Sequence, residues 1–488
     1  AIAIGSNAGQ GTQGTNAIAI GITAGQLTQG ENAIAIGVRA GQTQQGSNTV
    51  AIGNSAGTNT QGAGSVAIGT TAGTNTQGAY AVAIGSEAGR DNQGTNAIAI
   101  GAAAGNFIQG TNAIAIGAFA GQTNQGNQSV AIGTSAGQGT QGTNAIAIGS
   151  GAGENTQNGS AVAIGNSAGR DNQGSSAVAI GNSAGQTNQG QTAVAIGAAA
   201  GQTGQGLNTV AIGNSAGQNS QGTNAVAIGL LVGQNSQGQN AVAIGSSAGL
   251  ESQRINTVAI GNSAGRDNQG TNAVAIGLQA AQTNQGQTAV AIGSSAGRLQ
   301  QGQSAVAVGL NAGNSTQGSG AVAIGLNAGQ TGQGINSIAI GSSAGQTGQA
   351  ANSVVISALG TVVTGATANA TYIAPIRGVA TATPVMVYNT TTNEITYNTS
   401  SIKYKKNVIN LEQDTSKLYN ITAREYDAKV DDKHYIGYIA EELNSIDPHF
   451  TWKNVDGSPE GIEWFNLLVY AIEEIKSLKT RIEILENK

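Results

Sequence analysis

Small and branched apolar residues alternate along most of this chain in a fixed cycle. Ala1-Ile2-Ala3-Ile4-Gly5 returns at residues 17–21, at 33–37 and onward to 337–341, a period of 16 without insertion. Twenty-two copies fill residues 1–352, with the consensus A-[IV]-A-I-G-x-x-A-G-Q-x-x-Q-G-x-N. Gly stands at the fifth place and Gln at the thirteenth of every copy. Alternation with period two is the mark of a strand with one buried face, and the glycines after it punctuate turns. A lone strand-turn-strand-turn unit cannot bury its apolar face, whereas stacked units make a continuous core. The fold class expected is therefore mainly β: a parallel β-roll or β-solenoid, roughly 100 Å long at the ordinary strand spacing. In this reading Ile2 and Ile4 point inward, Ala8 lines the opposite wall, and Ala1 and Ala3 face out. Glutamines at places 13, 29 and 45 stack into an amide ladder along the axis. Small outward alanines let several chains pack closely, so an oligomer is expected.

The repeats Gly64-Ser65-Val66-Ala67-Ile68-Gly69 and Asn352-Ser353-Val354-Val355-Ile356 carry a further likeness. Residues 1–356 resemble the head domain of trimeric autotransporter adhesins, the YadA-like head, whose repeats have a similar N-[ST]-[VA]-A-I-G signature. The adhesin repeats are typically shorter than 16 residues. The resemblance implies a left-handed parallel β-roll assembled as a homotrimer.

Composition agrees with a fibrous chain: 77 Gly, 3% aromatic and 9% charged residues are unlike an ordinary globular domain. The absence of Cys removes disulfides and Cys-based metal sites. No apolar run reaches the length of a membrane span, and a net charge of -5 with no basic stripe lacks the footprint of a nucleic-acid binder. Neither membrane insertion nor nucleic acid is expected, and no cofactor or metal. The repeats offer little to catalysis, with scattered acids and no His. Tyr80, Phe107 and Phe119 read as isolated, short of a sugar-binding platform, and no paired carboxylates suggest a glycosidase. Arg90-Asp91-Asn92, Arg170-Asp171-Asn172 and Arg266-Asp267-Asn268 read as solvated turns in preference to receptor contacts.

Charge changes abruptly near the end, because residues 400–488 hold 12 of the 19 Lys/Arg and 16 of the 24 Asp/Glu. Before them, residues 357–399 read as a β-rich neck, with strand-like runs at 385–388 and 395–397 joined by a hairpin loop at 389–394. The last segment contains Ser400-Ser401-Ile402-Lys403-Tyr404-Lys405-Lys406-Asn407-Val408, then Arg424-Glu425-Tyr426, then Gly437-Tyr438-Ile439-Ala440-Glu441-Glu442-Leu443. In that order these motifs resemble the C-terminal intramolecular chaperone of phage endosialidases and tail spikes, a self-cleaving Ser/Lys peptidase family, over residues 400–488. The resemblance implies that Ser400 is the nucleophile, Lys405 its general base, and Thr399–Ser400 the bond cut. A serine hydroxyl needs a base to take its proton, and a lysine desolvated by burial can serve. Ser401 and Lys406 share the spacing, but Lys405-Lys406-Asn407-Val408 matches the family's K-x-N-[IV] pattern. Ser401 stands where many members carry Asp, and a degenerate chaperone that stays attached is the alternative. Glu441 and Glu442 read as solvated acids at a helix start, and His434 and His449 as surface residues without metal-ligand spacing.

From Trp464 the pattern is helical, with a seam of Leu468, Ala471, Ile475, Leu478, Ile482 and Leu485. The residue types at the seam mildly favour two strands, whereas the resemblance implies three. Near-identical repeats pair almost as well when displaced by one unit, so a rod of this kind needs something to fix its register. The functional expectation is a trimeric virion fibre or tail-spike shaft, inert toward external substrates. Its chaperone sets the register and then cuts itself off once. The expected location is the virion surface, with an unidentified host-surface receptor as a possible partner. A cell-surface adhesin head that keeps its chaperone ranks second, because such adhesins end in a membrane β-barrel. The first residue lies inside a repeat without Met, which reads as a fragment.

Overall fold

A computed structural model describes residues 1–378, 386–389, 392–397, 401–429, 432–454 and 456–487. They form two compact units, Ala1–Ile376 and Arg377–Lys488. The first is a parallel β-solenoid in which each 16-residue repeat makes one coil. Places 2–4 of each coil form a strand that pairs in register with the next, as Ile2↔Ile18, Ala3↔Ala19 and Ile4↔Ile20. A shorter strand ending at place 13 builds a second parallel sheet, as Thr12↔Thr28 and Gln13↔Gln29. That sheet narrows to single bridges at Gln93, and its strands lengthen to three residues from Asp171–Gln173 onward.

The chain turns where the sequence permits left-handed backbone. Places 7 and 16 are left-handed in coil after coil, as at Asn16 (φ 58°) and Thr23 (φ 56°). Asn tolerates this conformation better than most residues. The Asn side chains also link coils, Asn16 Nδ2 donating to Asn32 Oδ1 and Asn32 Nδ2 to Asn48 Oδ1, both at 3.1 Å. The fifth-place glycine has a stronger constraint. Gly21 sits at φ 133°, and a Cβ there would lie 2.4 Å from the carbonyl oxygen of Gly37. Neither the angle nor the space admits a side chain.

The interior reverses the orientation expected for the strand. Ala17, Ala19 and Ala24, at places 1, 3 and 8, are fully buried, while Ile18 and Ile20 face outward and are partly exposed. The same phase holds through the succeeding coils, so Ile and Val are outside and Ala inside. The expected inward Ile at places 2 and 4 is therefore wrong, although place 8 does line the opposite wall. The reason is width. A Cβ added to Gly25 would lie 3.3 Å from Ala19 Cβ and 2.9 Å from Gln29 Oε1. Between sheets this close the usual occupant is a methyl group, and Val232 at place 8 is the branched aliphatic side chain that the interior of the repeats admits.

The thirteenth-place glutamines do stack along the axis, and they also do a second job. Gln157 Nε2 donates to Gln173 Oε1 at 3.0 Å and to the backbone carbonyls of Ile146 at 2.7 Å and Ala161 at 3.2 Å. One buried amide thus crosses the coil and satisfies the opposite wall. Where place 1 is Thr or Ser, its hydroxyl bonds three residues back, as Thr49 Oγ1 to Gly46 O at 2.8 Å. The stack ends in a wider coil. Thr371–Ala374 pairs with Val354–Ser357 at a spacing of 17, and Val355, Val363 and Tyr372 cover the last alanines.

The second unit is built from short elements. Met386–Asn389 pairs antiparallel with Glu394–Tyr397. Asn389 and Glu394, expected in the loop, are the last paired residues, and Val385 lies outside the described residues. Two further hairpins join Arg424–Asp427 to His434–Gly437 and Thr451–Lys453 to Pro459–Ile462. Helix α1 is Ala440–Ile446 and α2 is Trp464–Glu486. Leu443, Phe450, Leu467 and Tyr470 make a small core, with Phe450 edge-on to Tyr470 at 4.9 Å.

The inverted phase has a direct test at coil 12. Ala179→Leu should overpack the interior and weaken it by about 1–3 kcal/mol, whereas Val178→Leu, one residue away on the outer face, should cost well under half of that. Amide hydrogen exchange of the flanking coils reads both; equal losses would contradict the orientation described.

Candidate functional site

Two surfaces of the solenoid differ sharply in chemistry. The outer face of the places 2–4 strand carries a continuous double row of Ile and Val, one pair per coil. Ile100, Ile196 and Ile244 each keep 36% of their surface exposed. Monomeric proteins rarely expose contiguous apolar patches beyond a few hundred Å². This one runs the length of the unit. The in-register parallel pairing sets like residue over like along it.

Polar variation sits elsewhere, at the turn formed by places 7, 10 and 11. There the three Arg-Asp dipeptides are ion pairs within the turn. Arg90 Nε lies 3.0 Å from Asp91 Oδ2, Arg170 Nη2 2.9 Å from Asp171 Oδ2, and Arg266 Nη2 2.7 Å from Asp267 Oδ2. Their exposure limits each pair to a modest contribution.

In the second unit, Thr399 and Ser400, the residues of the expected cleavage, lie outside the described residues. Lys405 is described. It follows the 3₁₀ turn Ile402–Tyr404, donates its backbone N–H to Ile402 O at 3.0 Å, and is exposed, as are Ser401 and Lys406. Burial within this chain therefore does not desolvate the Lys405 amine. Glu441 is exposed on the first turn of α1, and Glu442 pairs with Arg424 at 3.0 Å. His434 is exposed beside Asp427. Among the described residues no group of three His, Cys, Asp or Glu is placed to hold a metal, and no helix is long and apolar enough to cross a membrane.

The most heavily bonded polar group is Asp447, which sequence reasoning passed over. It is 1% exposed, and Lys417 Nζ donates to Oδ2 at 2.8 Å, as does Tyr470 Oη at 3.3 Å. Oδ1 accepts the backbone N–H of His449 at 2.9 Å and meets its ring Nδ1 at 2.8 Å. Burial alone would raise this carboxyl. The hydrogen bonds from Lys417 and His449 outweigh it and hold the group far below the usual carboxylate range. A signal was present in Asp447-Pro448-His449, an acid preceding Pro at a helical start. A second buried acid, Glu474, accepts from Thr415 Oγ1 at 2.7 Å and Tyr419 Oη at 2.8 Å, tying the turn Thr415–Asn420 to α2. Both networks position elements; neither presents a nucleophile.

Helix α2 turns one face to its own unit through Leu467, Tyr470 and Glu474. The seam read from the sequence lies on the other side, with Leu468, Ile475, Ile482 and Leu485 each more than half exposed. Near its start, Leu418, Ile421, Tyr438, Trp464 and Leu468 line an apolar hollow of about 480 Å³. Comparison with protein-family models, curated proteins and solved structures gives no match.

Because both tryptophans, Trp452 and Trp464, lie in the second unit, their fluorescence reports its unfolding alone. Lys417→Met leaves Asp447 short of its cation. It should destabilise the unit by about 1–2 kcal/mol at pH 7, a figure discounted for the partial exposure of Lys417. A depressed carboxyl contributes stability above its unfolded value of about 3.9 and loses it as the pH falls toward the folded value. The difference between wild type and Asp447→Asn should therefore hold from neutrality to about pH 4 and shrink below it. A difference that grows in acid would contradict this sign.

Proposed function

We propose that the chain is the structural shaft of a trimeric fibre and that its second unit acts as the assembly domain. The double row of outward Ile and Val carries the reading. A thin alanine interior gives each coil little apolar burial of its own, and the Ile and Val of places 2 and 4, which burial normally uses, stand on the outer face of their strand. Copies of the same chain fit that face best, since its 16-residue spacing repeats identically in every chain. The exposed seam of α2 offers the same chain a second contact. Three copies is the number implied by the likeness of both segments to trimeric families, and the virion setting comes from the likeness of residues 400–488 to the phage chaperone family.

In this reading the second unit brings chains together in register and is then released. Ser400 Oγ adds to the Thr399 carbonyl while Lys405 takes the hydroxyl proton. The Thr399–Ser400 amide breaks with the proton delivered to its nitrogen, and water hydrolyses the resulting ester. Lys405 must then become desolvated in the assembled trimer, because it is exposed in the single chain. That exposure also favours a second reading, a surface adhesin head in which the unit stays attached as a trimerisation domain.

Two measurements decide between them. Sedimentation equilibrium should give three chains, and Val178→Lys with Ile180→Lys on the outer row should lower the association constant at least tenfold. A wild-type monomer at micromolar concentration would end the proposal. Intact mass should show pieces ending at Thr399 and starting at Ser400 in the wild type and an uncut chain in Ser400→Ala; an uncut trimeric wild type selects the retained-domain reading.

A further inference from the structure

Eleven of the thirteen charged residues before residue 353 stand at places 7, 10 or 11 of their coils. This edge is where the repeat admits chemistry, and at coils 6–8 it departs furthest from its own pattern. Arg90 pairs with Asp91, as its counterparts do with theirs. It also bonds Glu87 Oε2 at 3.2 Å and lies over the Phe107 ring at 5.1 Å from the centroid. Asn106, 2% exposed, donates to the same Glu87 oxygen at 3.0 Å. Phe107 N–H donates to Gln122 O at 2.9 Å, which sets Phe107 beside the turn that carries Phe119. Both rings are 42% exposed. Two residues that read as isolated in the sequence are brought onto one edge, next to a carboxylate whose position is fixed by two donors.

The other Arg-Asp turns act as internal controls. Arg170 and Arg266 have Ser167 and Ser263 where Arg90 has Glu87, and the coil after each carries Thr187 or Thr283 where Phe107 stands. Only at coils 6–8 do exposed rings, a held carboxylate and a guanidinium coincide. We propose that this patch binds a neutral hexopyranoside. Such a sugar has an apolar C–H face and a rim of hydroxyls; Phe107 and Phe119 supply the surface for the first, Glu87 and Arg90 the bonding groups for the second. Glu87 and Asp91 together outweigh Arg90 by one negative charge, which disfavours sialylated or uronic glycans. The site lies on a different face from the Ile and Val rows and does not rest on the trimer or on cleavage.

The test uses the full chain, fluorescently labelled, on an array of neutral, sialylated and uronic oligosaccharides, followed by solution titration with the neutral glycan retained best. Phe107→Ala with Phe119→Ala should weaken binding at least tenfold, Glu87→Gln at least threefold, and Arg170→Ala should leave it unchanged. Hydrogen exchange across coils 6–8 checks that the variants keep their fold, and Glu87→Gln, which removes no apolar contact, stands in if the ring variants do not. Retention of no neutral glycan, preference for anionic ones, or binding insensitive to these changes overturns the proposal.

Discussion

A coil of this solenoid is thin enough that methyl groups opposite a glutamine fill nearly all of it, with Val232 as an exception among the repeats, and much of the first unit follows from that width. Two sheets so close leave backbone carbonyls facing inward with no space for water. The thirteenth-place amide meets them from within the coil. Gln29 Nε2, for example, bonds Ile18 O at 2.7 Å across the interior and Ala33 O at 3.2 Å on its own side. Removing such a side chain would take a second donor from Ala33 O, which keeps the N–H of Ile18 at 2.9 Å, and would end the cross-coil bond to Ile18 O. This explains why the glutamine recurs in every repeat although it is a poor core residue by hydropathy. Amide bonding thus adds to apolar burial, although it is incomplete: Oε1 of Gln45, Gln61, Gln77 and Gln125 is buried without a donor.

Width also decides where the branched residues go. Strand propensity favours Ile and Val at alternate positions, yet the interior rejects them, so they occupy the outer face of the same strand. The molecule thereby places a long double row of apolar side chains outside its fold. The repetition that builds the fold also builds this outer row, and in the proposed assembly it brings one problem. In-register stacking of identical residues makes a shift by one whole coil nearly neutral. The second unit has what the first lacks, a non-repeating core around Phe450 and Leu443 and specific networks at Asp447 and Glu474, which is what the proposed register-setting role requires.

Much of this was legible in the sequence. The period of 16, the parallel stacking, the glutamine ladder and α2 from Trp464 were all open to inspection, because each depends on spacing alone. The phase of the strand was not, since period-two alternation says that the faces differ without saying which is inside. Volume held the answer. Ala8, Gly9 and Gln13 opposite the strand leave a space sized for Ala3 and too small for Ile4. In the second unit, spacing identified the α2 seam, but the role of Asp447 depends on Lys417 and Tyr470, distant in sequence and joined only by tertiary packing. The candidate nucleophile rested on family likeness, which carries no geometry of its own.

Repetition also gives meaning to its exceptions. At places 1, 3, 5, 8 and 13 a substitution is felt by the coils on both sides, so the chain admits little beyond Ala, Ser, Thr, Gly and Gln there. At places 7, 10 and 11 most side chains reach solvent, Asn106 and Gln282 being buried exceptions, and Arg, Glu, Asp, Phe and Leu all appear. Variation tolerated at no structural cost is the part of a rod on which recognition can be written without disturbing its assembly. Binding residues commonly sit on variable turns carried by a rigid scaffold, and here the scaffold reduces the turn to one edge. The departures from pattern around Arg90 and Phe107 lie on that edge and leave the first sheet of coils 6–8 paired in register, while the second narrows to bridges at Gln93.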